Sequence, residues 1–304
     1  MLPETVPEDE AIAAEHLRRE FSLGATLERF PVGSVPVFGT AGGYVVKLFP
    51  SNERAHFETE VAALTRVQGA LSIPTPRVVA SGESHGWWFV VMTRLPGRAL
   101  VDVWKDLGAE DRLRLVREVG VSLATMHARS TEGLPSLALD WPRFLREQRI
   151  SCRERQAAKG LEAPWLDQID AFLESWSPTD DGRRALLHTE VMREHLLVDP
   201  VDGGWRLTGL VDFEPAMIGA PEYEFASVGL FVTCAEPGLL GAALEAYGAP
   251  RDEALPCRIM AYALLHRYSN LRWYLGRLPV TGHTDLESLA RHWFAATPPG
   301  ASLA

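Results

Sequence analysis

The sequence predicts an α+β protein with two lobes: a small, strand-rich lobe over residues 1–95 and a larger, mainly helical lobe over residues 96–304. Runs of β-branched and aromatic residues dominate the first part of the chain. After Pro96-Gly97, a pair that favours a turn, apolar residues recur at helical spacing instead. A cleft between two lobes is a favoured ligand site, so we expect the functional residues along it.

In the first lobe, strands and helices are separated by glycine-rich or proline-rich turns. The Thr40–Gly43 segment contains two glycines and predicts a hairpin turn. Pro74 and Pro76 favour an extended segment, and residues 82–86 favour another turn. The predicted strands are 27–38, 44–49 and 87–92, and the predicted helices are roughly 8–21 and 53–67.

The second lobe begins with amphipathic helices and contains a short β region before it becomes helical again. The predicted helices are 109–127, 142–159 and 165–176, with further helix between 223 and 294. The predicted strands are 185–188, 196–199 and 205–211. Polar residues follow two of these strands, so we expect the chemistry of the protein in this β region.

Composition excludes several classes of protein. The 304 residues are 46% hydrophobic and 23% charged, which is typical of a globular protein. The formal net charge is -10, and no cluster of Lys and Arg is long enough for a nucleic-acid-binding face. The negative balance would suit a cationic ligand. Cys152, Cys234 and Cys257 are widely spaced, which argues against disulfides and against a cysteine zinc site.

The sequence has no pattern typical of a secreted or membrane protein. The N-terminus is acidic and lacks the charged and apolar regions of a signal peptide. The longest apolar stretch, residues 225–244, is interrupted by Glu236 and Pro237 and predicts a buried helix. We therefore expect a cytoplasmic protein, monomeric or weakly dimeric, that contacts neither membrane nor nucleic acid.

Lys47 is the first candidate functional residue. It interrupts the apolar strand 45–49, where a charged ammonium is costly unless an acidic side chain pairs with it. Glu58 and Glu60, on the helix that follows, are the natural partners. The alternative is that Lys47 points to solvent from an edge strand, as strand lysines often do.

The polar segments of the β region supply the other candidates. The first contains His188, Glu190 and His195, and Asp212 ends the next apolar strand. Strand ends that bring carboxylates and an imidazole together can hold a divalent metal and a phosphate. The alternative is that both segments are ordinary polar hairpin turns.

The order of these features resembles that of the aminoglycoside phosphotransferase family. A glycine-containing hairpin, a strand Lys, a helix Glu, His-x-Glu-x4-His and Val-Asp-Phe follow one another, and the resemblance covers about residues 28–294. It implies a protein-kinase-like fold and transfer of the γ-phosphate of ATP, with GTP as the alternative, to a hydroxyl group. The segments most similar to the hygromycin B phosphotransferase branch are 46–49, 90–97, 209–213 and 284–290.

The resemblance also implies roles for particular residues. Lys47 would contact the α and β phosphates, with Glu60 rather than Glu58 as its ion-pair partner, and Asp212 would bind Mg²⁺ or Mn²⁺. The nucleotide would lie between a positioning hairpin and the backbone of a hinge. These are Gly33 and Ser34 for the hairpin, and Met92, Thr93, Arg94 and Leu95 for the hinge.

The catalytic loop departs from the family pattern His-Gly-Asp-x4-Asn. His188 is retained, but Thr189 replaces the glycine, Glu190 the catalytic aspartate and His195 the metal-binding asparagine. We expect Glu190, in a catalytic loop with His188, to orient and deprotonate the acceptor from one methylene further out. Imidazole suits Mn²⁺ better than Mg²⁺, so His195 is expected to shift the metal preference unless Glu194 binds the metal instead.

Two functions are consistent with these departures. In the first, the enzyme phosphorylates an aminoglycoside-like or other antibiotic, which would confer antibiotic resistance, or a metabolite. In the second, a degenerate kinase binds a nucleotide or ligand without phosphoryl transfer. In either case Glu224 replaces the aspartate that, in the family, holds the catalytic loop by its backbone amides.

The acceptor, a small molecule for which a cationic character is expected, would bind between residues 143–176 and 262–274. Glu222, Glu224 and Glu236 could bind its amines, and aromatic side chains could stack on sugars or cations. The aromatic and imidazole candidates are Trp141, Trp165, Trp176, Tyr262, His266, Tyr268, Trp273 and Tyr274.

Overall fold

The computed structural model of the protein describes residues 7–31, 33–176, 178 and 180–297. The N-terminal part is a strand-rich region and the C-terminal part is mainly helical, which confirms the predicted α+β class. The candidate functional residues lie where these two parts meet.

A five-stranded antiparallel sheet forms most of the N-terminal part. Its strands are β1 (Leu27–Arg29), β2 (Val37–Thr40), β3 (Tyr44–Pro50), β4 (Val78–Ser84) and β5 (Trp87–Thr93), and the helices are α1 (Pro7–Glu20) and α2 (Arg54–Val67). The strand order is β1-β2-β3-β5-β4, so β3 is central. A 3₁₀ turn at Ser51–Glu53 leads from β3 into α2.

The alternation of side chains along β3 sets the position of Lys47. Val46 and Leu48 point to one face of the sheet, where they pack with α1. Val45 and Phe49 point to the other face, where they join a core shared with α2 and the helical part. Because successive side chains of a strand alternate between faces, Lys47 shares the face of Val45 and Phe49. The strand therefore directs Lys47 toward the C-terminal part.

The turn predicted over residues 82–86 is wrong in its extent. Gly82 lies within β4, which pairs with β5 along its length. Only His85 and Gly86, both at positive φ, form the turn between the two strands. Because β4 is an edge strand that exposes alternate residues, it lacks the continuous apolar run that identifies β3 and β5 in the sequence.

The C-terminal part contains two small antiparallel sheets among its helices. Its strands are β6 (Arg98–Ala99), β7 (Ala185–Leu187), β8 (Leu196–Val201), β9 (Gly204–Leu210) and β10 (Met217–Gly219). Its helices are α3 (Leu100–Val103), α4 (Ala109–His127), α5 (Trp141–Ala158), α6 (Ala163–Leu166), α7 (Ile169–Trp176), α8 (Glu224–Ser227), α9 (Leu239–Tyr247), α10 (Leu255–Leu265), α11 (Leu271–Leu275) and α12 (Leu286–Trp293). Strands β6, β8 and β9 form one sheet, and β7 pairs with β10 in the other.

One hydrophobic core runs through the helical part and reaches the inner face of the N-terminal sheet. Every residue of α10 except Arg258 is buried in it. Where α10 ends, the chain places His266 and Arg267 against the loop between β7 and β8. In the part of the chain that is described, no helix is long and apolar enough to cross a membrane. All three cysteines are free thiols.

The continuous helix predicted over residues 225–244 is also wrong. Helix α8 passes into a π-helix at Val228–Thr233, which ends at Cys234 and Ala235. Both have left-handed backbones, with φ of 50° and 60°. This turn brings Glu236 back toward the loop after β7, where it accepts a hydrogen bond from Arg193 at 3.0 Å. π-Helical turns are often found next to functional sites.

Candidate active site

Lys47 lies at the centre of a cluster of three carboxylates. Its Nζ donates hydrogen bonds to Glu60 Oε2 at 3.0 Å and to Asp212 Oδ1 at 2.5 Å. Glu214 Oε2 lies 2.9 Å from the same Nζ. Lys47 is 5% exposed and Glu60 only 1% exposed, and an ammonium buried to this extent needs paired charges. The solvent-facing alternative for Lys47 is therefore wrong.

Glu60, rather than Glu58, pairs with Lys47 because the two acids lie on different faces of α2. Glu60 lies on the buried face of the helix, whereas Glu58 pairs with Arg54 on its surface at 2.7 Å. Two residues along a helix correspond to about 200° of rotation, so both acids cannot face Lys47.

Burial and charge act in opposite directions on this cluster. Burial alone would lower the pKa of the Lys47 ammonium, but the surrounding carboxylates raise it above its usual value. Burial raises the pKa of Glu60 against the opposing effect of Lys47. Burial would also raise the pKa of Asp212, yet Lys47 and His195 together lower it to about 2. Asp212 is therefore ionised at neutral pH beside the Lys47 ammonium.

The loop between β7 and β8 is held by Glu224 at the start of α8. Its Oε2 accepts a hydrogen bond from the His188 amide at 2.7 Å, and its Oε1 accepts one from the Thr189 amide at 2.8 Å. The Glu224 side chain is completely buried. The longer glutamate thus makes the backbone contacts that the sequence predicted for the residue at this position.

Thr189 has a backbone conformation that a β-branched residue rarely adopts. Its φ is 71°, in the left-handed region, which fits the glycine of the family pattern at this position. Three hydrogen bonds hold Thr189 in this conformation. Its backbone amide donates to Glu224, and its hydroxyl donates to Pro215 O at 3.0 Å. Its carbonyl accepts a hydrogen bond from His266 Nε2 at 3.2 Å. A strain of about 1–3 kcal/mol persists only where neighbours fix the residue in this way.

His188 uses both ring nitrogens for the backbone. Its Nε2 donates to Val211 O at 3.0 Å, and its Nδ1 accepts from the Glu190 amide at 3.3 Å. Burial lowers the pKa of His188 to about 4, so the ring is neutral at physiological pH. With no ring nitrogen left for a substrate, the geometry fits a positioning role for His188 rather than the catalytic role predicted from the sequence.

Glu190 differs from the acids around it because, among the described residues, none donates a hydrogen bond to its carboxylate. Burial raises the pKa of Glu190, against the opposing effect of His195, and the charges of Asp212 and Glu214 raise it further. A carboxylate in this state can accept a hydrogen bond, and then a proton, from a hydroxyl group placed beside it.

His195 connects Glu190 to Asp212. Its Nδ1 lies 2.8 Å from the Glu190 carbonyl, which can only accept, so Nδ1 carries a proton. Its Nε2 lies 3.2 Å from Asp212 Oδ2. A ring whose Nδ1–H is held by a carbonyl presents Nε2 as a metal donor. Glu194, the alternative ligand, is exposed and does not turn inward.

The residues present fit the divalent metal that the family resemblance implies. Ligand atoms of Glu60, Asp212 and Glu214 lie within 4.8 Å of one another, but Lys47 Nζ already lies between them. Glu214 Oε2 is buried and accepts no aligned hydrogen bond, even though Lys47 is within ion-pair distance. Asp212 Oδ2 and Glu214 Oε2, with His195 Nε2, would hold the metal.

The predicted positioning hairpin lies over this cluster. Gly33 and Ser34 are in the loop between β1 and β2, and Gly33 has a φ of 148°, which favours glycine. Ser34 Oγ donates to Glu214 Oε1 at 3.1 Å. The hairpin therefore contacts Glu214, one of the three carboxylates around Lys47.

The predicted hinge follows the end of β5. It consists of Met92, Thr93, Arg94 and Leu95. The amides of Thr93 and Arg94 donate to Arg77 O at 3.0 Å and to Gly43 O at 2.8 Å. These two amides are therefore taken, so backbone recognition of a purine would fall to the Leu95 amide and to carbonyl groups.

The acids predicted to bind an amine-bearing acceptor are engaged inside the protein. Glu224 holds the catalytic loop. Glu222 pairs with Arg258 at 2.9 Å, and Glu236 pairs with Arg193 at 3.0 Å. The prediction that these carboxylates bind substrate amines is wrong for Glu224, which is completely buried. It stays a prediction for Glu222 and Glu236, whose side chains are 37% and 31% exposed.

The aromatic candidates for the acceptor site divide into core and surface residues. Those that are buried are Trp141, Tyr262, His266 and Tyr274, and Trp165 and Trp176 are half-buried. Tyr268 is 47% exposed and Trp273 is 41% exposed. A ring or cation of a ligand could therefore stack on the exposed side chains of Tyr268 and Trp273.

Sequence reasoning missed three residues of the site. Glu214 was given no role, although its position two residues after Asp212 places it at the same strand end. His266 was named only as a pocket residue, yet its Nε2 donates to Thr189 O. Arg267 was not named, and its Nη2 donates to Pro215 O at 2.9 Å. For the last two, nothing in the sequence signals a contact with the catalytic loop.

Solved structures of similar fold include two complexes of one enzyme type. The GDP complex of wild-type aminoglycoside 2'-phosphotransferase-IIIa is 16% identical, with a TM-score of 0.70, and the match covers 96% of this chain and 98% of that one. The GDP and kanamycin complex of APH(2")-IIIa is 17% identical, with a TM-score of 0.70, covering 93% and 96%. These comparisons confirm the kinase-like aminoglycoside phosphotransferase fold.

Comparisons at the level of sequence give a curated protein that matches part of the chain and a family. Lysine-specific demethylase JMJ21 of Arabidopsis thaliana is 22% identical over 227 residues, a match that covers 58% of this chain. This chain spans only 23% of that protein's length. The family model described as the phosphotransferase enzyme family, APH, matches residues 20–257, which is well over half of the chain. The chain therefore belongs to the APH phosphotransferase enzyme family.

Proposed function

We propose that the protein is a small-molecule kinase, which transfers the γ-phosphate of ATP or GTP to a hydroxyl group of its acceptor. The observation that carries the proposal is the convergence of Lys47, Asp212 and Glu190, delivered by three separate parts of the chain. Lys47 is paired as a phosphate-contacting lysine would be, and the Glu190 carboxylate is left without a donor.

In the proposed reaction the acceptor oxygen attacks the γ-phosphorus. A new oxygen–phosphorus bond forms, and the bond between the γ-phosphorus and the β–γ bridging oxygen breaks, so that a nucleoside diphosphate leaves. Glu190 accepts the proton of the acceptor hydroxyl. Lys47 stabilises charge on the α and β phosphates, and Glu60 orients Lys47.

The metal would be Mg²⁺ or Mn²⁺, held by Asp212, Glu214 and His195. When bound, it supplies positive charge that offsets the negative charge of the phosphates and of the carboxylates in the cluster. Carboxylate oxygens suit either ion, and the imidazole of His195 favours Mn²⁺. The nucleotide would be ATP or GTP, and GDP is bound in the two similar solved structures.

Aminoglycosides are the first acceptors to test, because one of the similar solved structures contains kanamycin. A role in antibiotic resistance, similarity to the hygromycin B branch, a cytoplasmic location and a monomeric or weakly dimeric state belong to the same proposal. A metabolite with a reactive hydroxyl group is the second acceptor class.

A phosphorylation screen tests the proposed function. Purified protein is incubated with ATP or GTP and a panel of hydroxylated antibiotics and metabolites, and products are read by a mass increase of one phosphate. Transfer that is present in the wild type and lost in Asp212→Asn supports the proposal. Nucleotide binding without transfer to any acceptor would favour the non-enzymatic alternative, a ligand-binding protein on the kinase scaffold.

A further inference from the structure

Arg267 lies where the end of α10 meets the catalytic loop. Its Nη2 donates to Pro215 O at 2.9 Å, and its amide donates to Tyr223 Oη at 3.3 Å. Its guanidinium lies over the Tyr268 ring, 5.8 Å from the centroid. These contacts fix the side chain beside the segment that follows Glu214.

The Arg267 guanidinium has no acidic partner in the described ranges, where none of the carboxylate oxygens lies within 4.0 Å of it. Its Nε is buried and donates no hydrogen bond. Arg193 and Arg258, by contrast, contact Glu236 and Glu222. In the same ranges Arg155 also lacks an acid and has a buried unpaired Nε, but its Nη1 and Nη2 both donate to backbone carbonyls of the helical part. A buried donor without a partner destabilises the folded protein, so a purely structural role does not account for this arrangement.

Arg267 is also coupled to the reacting groups. The hydroxyl of Thr189 and Nη2 of Arg267 donate to the same acceptor, Pro215 O. Thr189 immediately precedes Glu190, and the Arg267 charge opposes the rise that burial causes in the pKa of Glu190. Through Pro215 O and Thr189, the guanidinium is therefore linked to the backbone that carries Glu190.

A cation without an acidic partner favours an anion rather than an amine as its ligand. Glu222 and Glu224, which lie near Tyr223 in the chain, pair with Arg258 and with the amides of His188 and Thr189 instead of Arg267.

We propose that Arg267 binds an anionic oxygen of a substrate beside Glu190, through its positively charged guanidinium. This inference rests on the proposed function. Two sources can supply that oxygen: the γ-phosphoryl group of the nucleotide, or a carboxylate or phosphate carried by the acceptor. A planar guanidinium suits either, because both offer two oxygens in one plane.

Two calorimetric titrations separate these sources. In the first, ADP and its non-hydrolysable triphosphate analogue AMP-PNP, or the guanine pair if that binds instead, are titrated with Mg²⁺ into the wild type and Arg267→Met. In the second, inorganic phosphate is titrated into the Mg²⁺–AMP-PNP complex, where the γ position is already filled. Arg251→Met, which removes an exposed arginine elsewhere, is the matched control.

If the γ-phosphoryl group is the source, Arg267→Met weakens AMP-PNP by about 10- to 100-fold and leaves ADP nearly unchanged. If the acceptor is the source, Arg267→Met abolishes phosphate binding in the second titration and spares both nucleotides. If neither titration responds to Arg267→Met, or if Arg251→Met has the same effect, the proposal is overturned.

Two further measurements keep these outcomes distinct from other failures. Thermal unfolding shows whether Arg267→Met folds, and if it does not, Arg267→Gln, which keeps a donor for Pro215 O but removes the charge, takes its place. If the wild type binds no nucleotide, the proposed function fails. In that case, inorganic phosphate is titrated into the nucleotide-free wild type and variant. Phosphate binding that is lost in the variant supports the anion site at Arg267, and equal phosphate binding in both proteins overturns it.

Discussion

Glu190 and Asp212 are carboxylic acids of one site with different pKa values. Burial raises the pKa of Glu190 against the effect of His195, and Asp212 and Glu214 raise it further. Lys47 and His195 hold the pKa of Asp212 at about 2 in spite of its burial. Neighbouring carboxylic acids whose pKa values diverge are typical of a proton acceptor beside an electrostatic or metal-binding group. This divergence favours the two roles proposed here.

Replacing Glu190 tests its role as proton acceptor. Glu190→Gln keeps the size of the side chain but removes its basicity, so kcat is expected to fall by about 10²- to 10⁴-fold. Nucleotide affinity, measured by calorimetry, should change little. Glu194→Gln, an exposed change in the same loop, is the control. Undiminished turnover in Glu190→Gln would rule out Glu190 as the base.

His195→Asn restores the residue of the family pattern and tests the metal preference. The account predicts that Mn²⁺ supports turnover better than Mg²⁺ in the wild type, and that this advantage shrinks in the variant because an imidazole donor is lost. Steady-state rates across a series of concentrations of each metal provide the measurement. Identical metal profiles in the two proteins would show that His195 is not a ligand.

His266 makes stability depend on pH. Burial and the Arg267 charge lower the pKa of His266 from 6.5 to about 3, so the folded state keeps the ring neutral while the unfolded chain binds a proton below pH 6.5. The stabilisation is complete above pH 6.5 and is lost as the pH falls toward 3. Relative to His266→Asn, the wild type should lose about 2 kcal/mol of unfolding free energy between pH 7 and pH 5. Urea denaturation of both proteins measures this difference, and parallel pH profiles would contradict it.

Individual side chains of the site were predictable to different degrees. Lys47 and Asp212 stand out in the sequence because each interrupts or ends an apolar strand, and the phase of α2 selects Glu60. Arg267 and His266 do not stand out, because their partners lie far away in the chain; the contact between His266 and Thr189 spans 77 residues. Only the packing of α10 against the catalytic loop creates it.

The strands and helices position the site through their ends. β7 and β9 each deliver a polar segment, and α8 begins at Glu224, whose carboxylate ties the first of these segments to the helical core. The chain turns sharply at two of these ends, since Thr189 and Asp212 both have a φ of 71°. Such conformations are costly and occur where surrounding contacts fix the backbone for function.

A matched pair of glutamate substitutions tests this anchoring. Glu224→Gln turns an amide NH₂ group toward one of two backbone amides, which costs about 1–3 kcal/mol and loosens the loop that carries Glu190. Transfer should fall at least about tenfold, with a lower melting temperature. Glu222→Gln, at a 37% exposed side chain two residues earlier, should change neither by much. Equal turnover in the two variants would show that Glu224 does not position the loop.

Two elements could not be predicted from local pattern. The edge strand β4 exposes every second residue and contains a glycine, so its sequence is indistinguishable from a turn-rich extended segment. The π-helix at Val228–Thr233 is as apolar as the α-helices around it, and its additional residue per turn leaves no compositional mark. Both are determined by what packs beside them.

The two parts of the protein contribute different halves of one site. The sheet and α2 supply Lys47 and Glu60, and the helical part supplies Asp212, Glu214 and Glu190. The α+β class and the family could be predicted from the order of the strand lysine, the helix glutamate and the two polar segments along the chain. That order matches the family pattern even where the residues of the catalytic loop differ from it. The division of the chain at Pro96-Gly97 and the identity of the acceptor remain predictions.

Metal-dependent nucleotide binding tests the central claim most directly. ATP and GTP are titrated by calorimetry into the wild type and Asp212→Asn with Mg²⁺, with Mn²⁺ and with no divalent ion. The account predicts binding that requires a metal and is lost or strongly weakened in Asp212→Asn, because the carboxylates around Lys47 repel phosphates until a cation offsets their charge. Absence of binding under every condition, or equal binding without metal and in the variant, would contradict it.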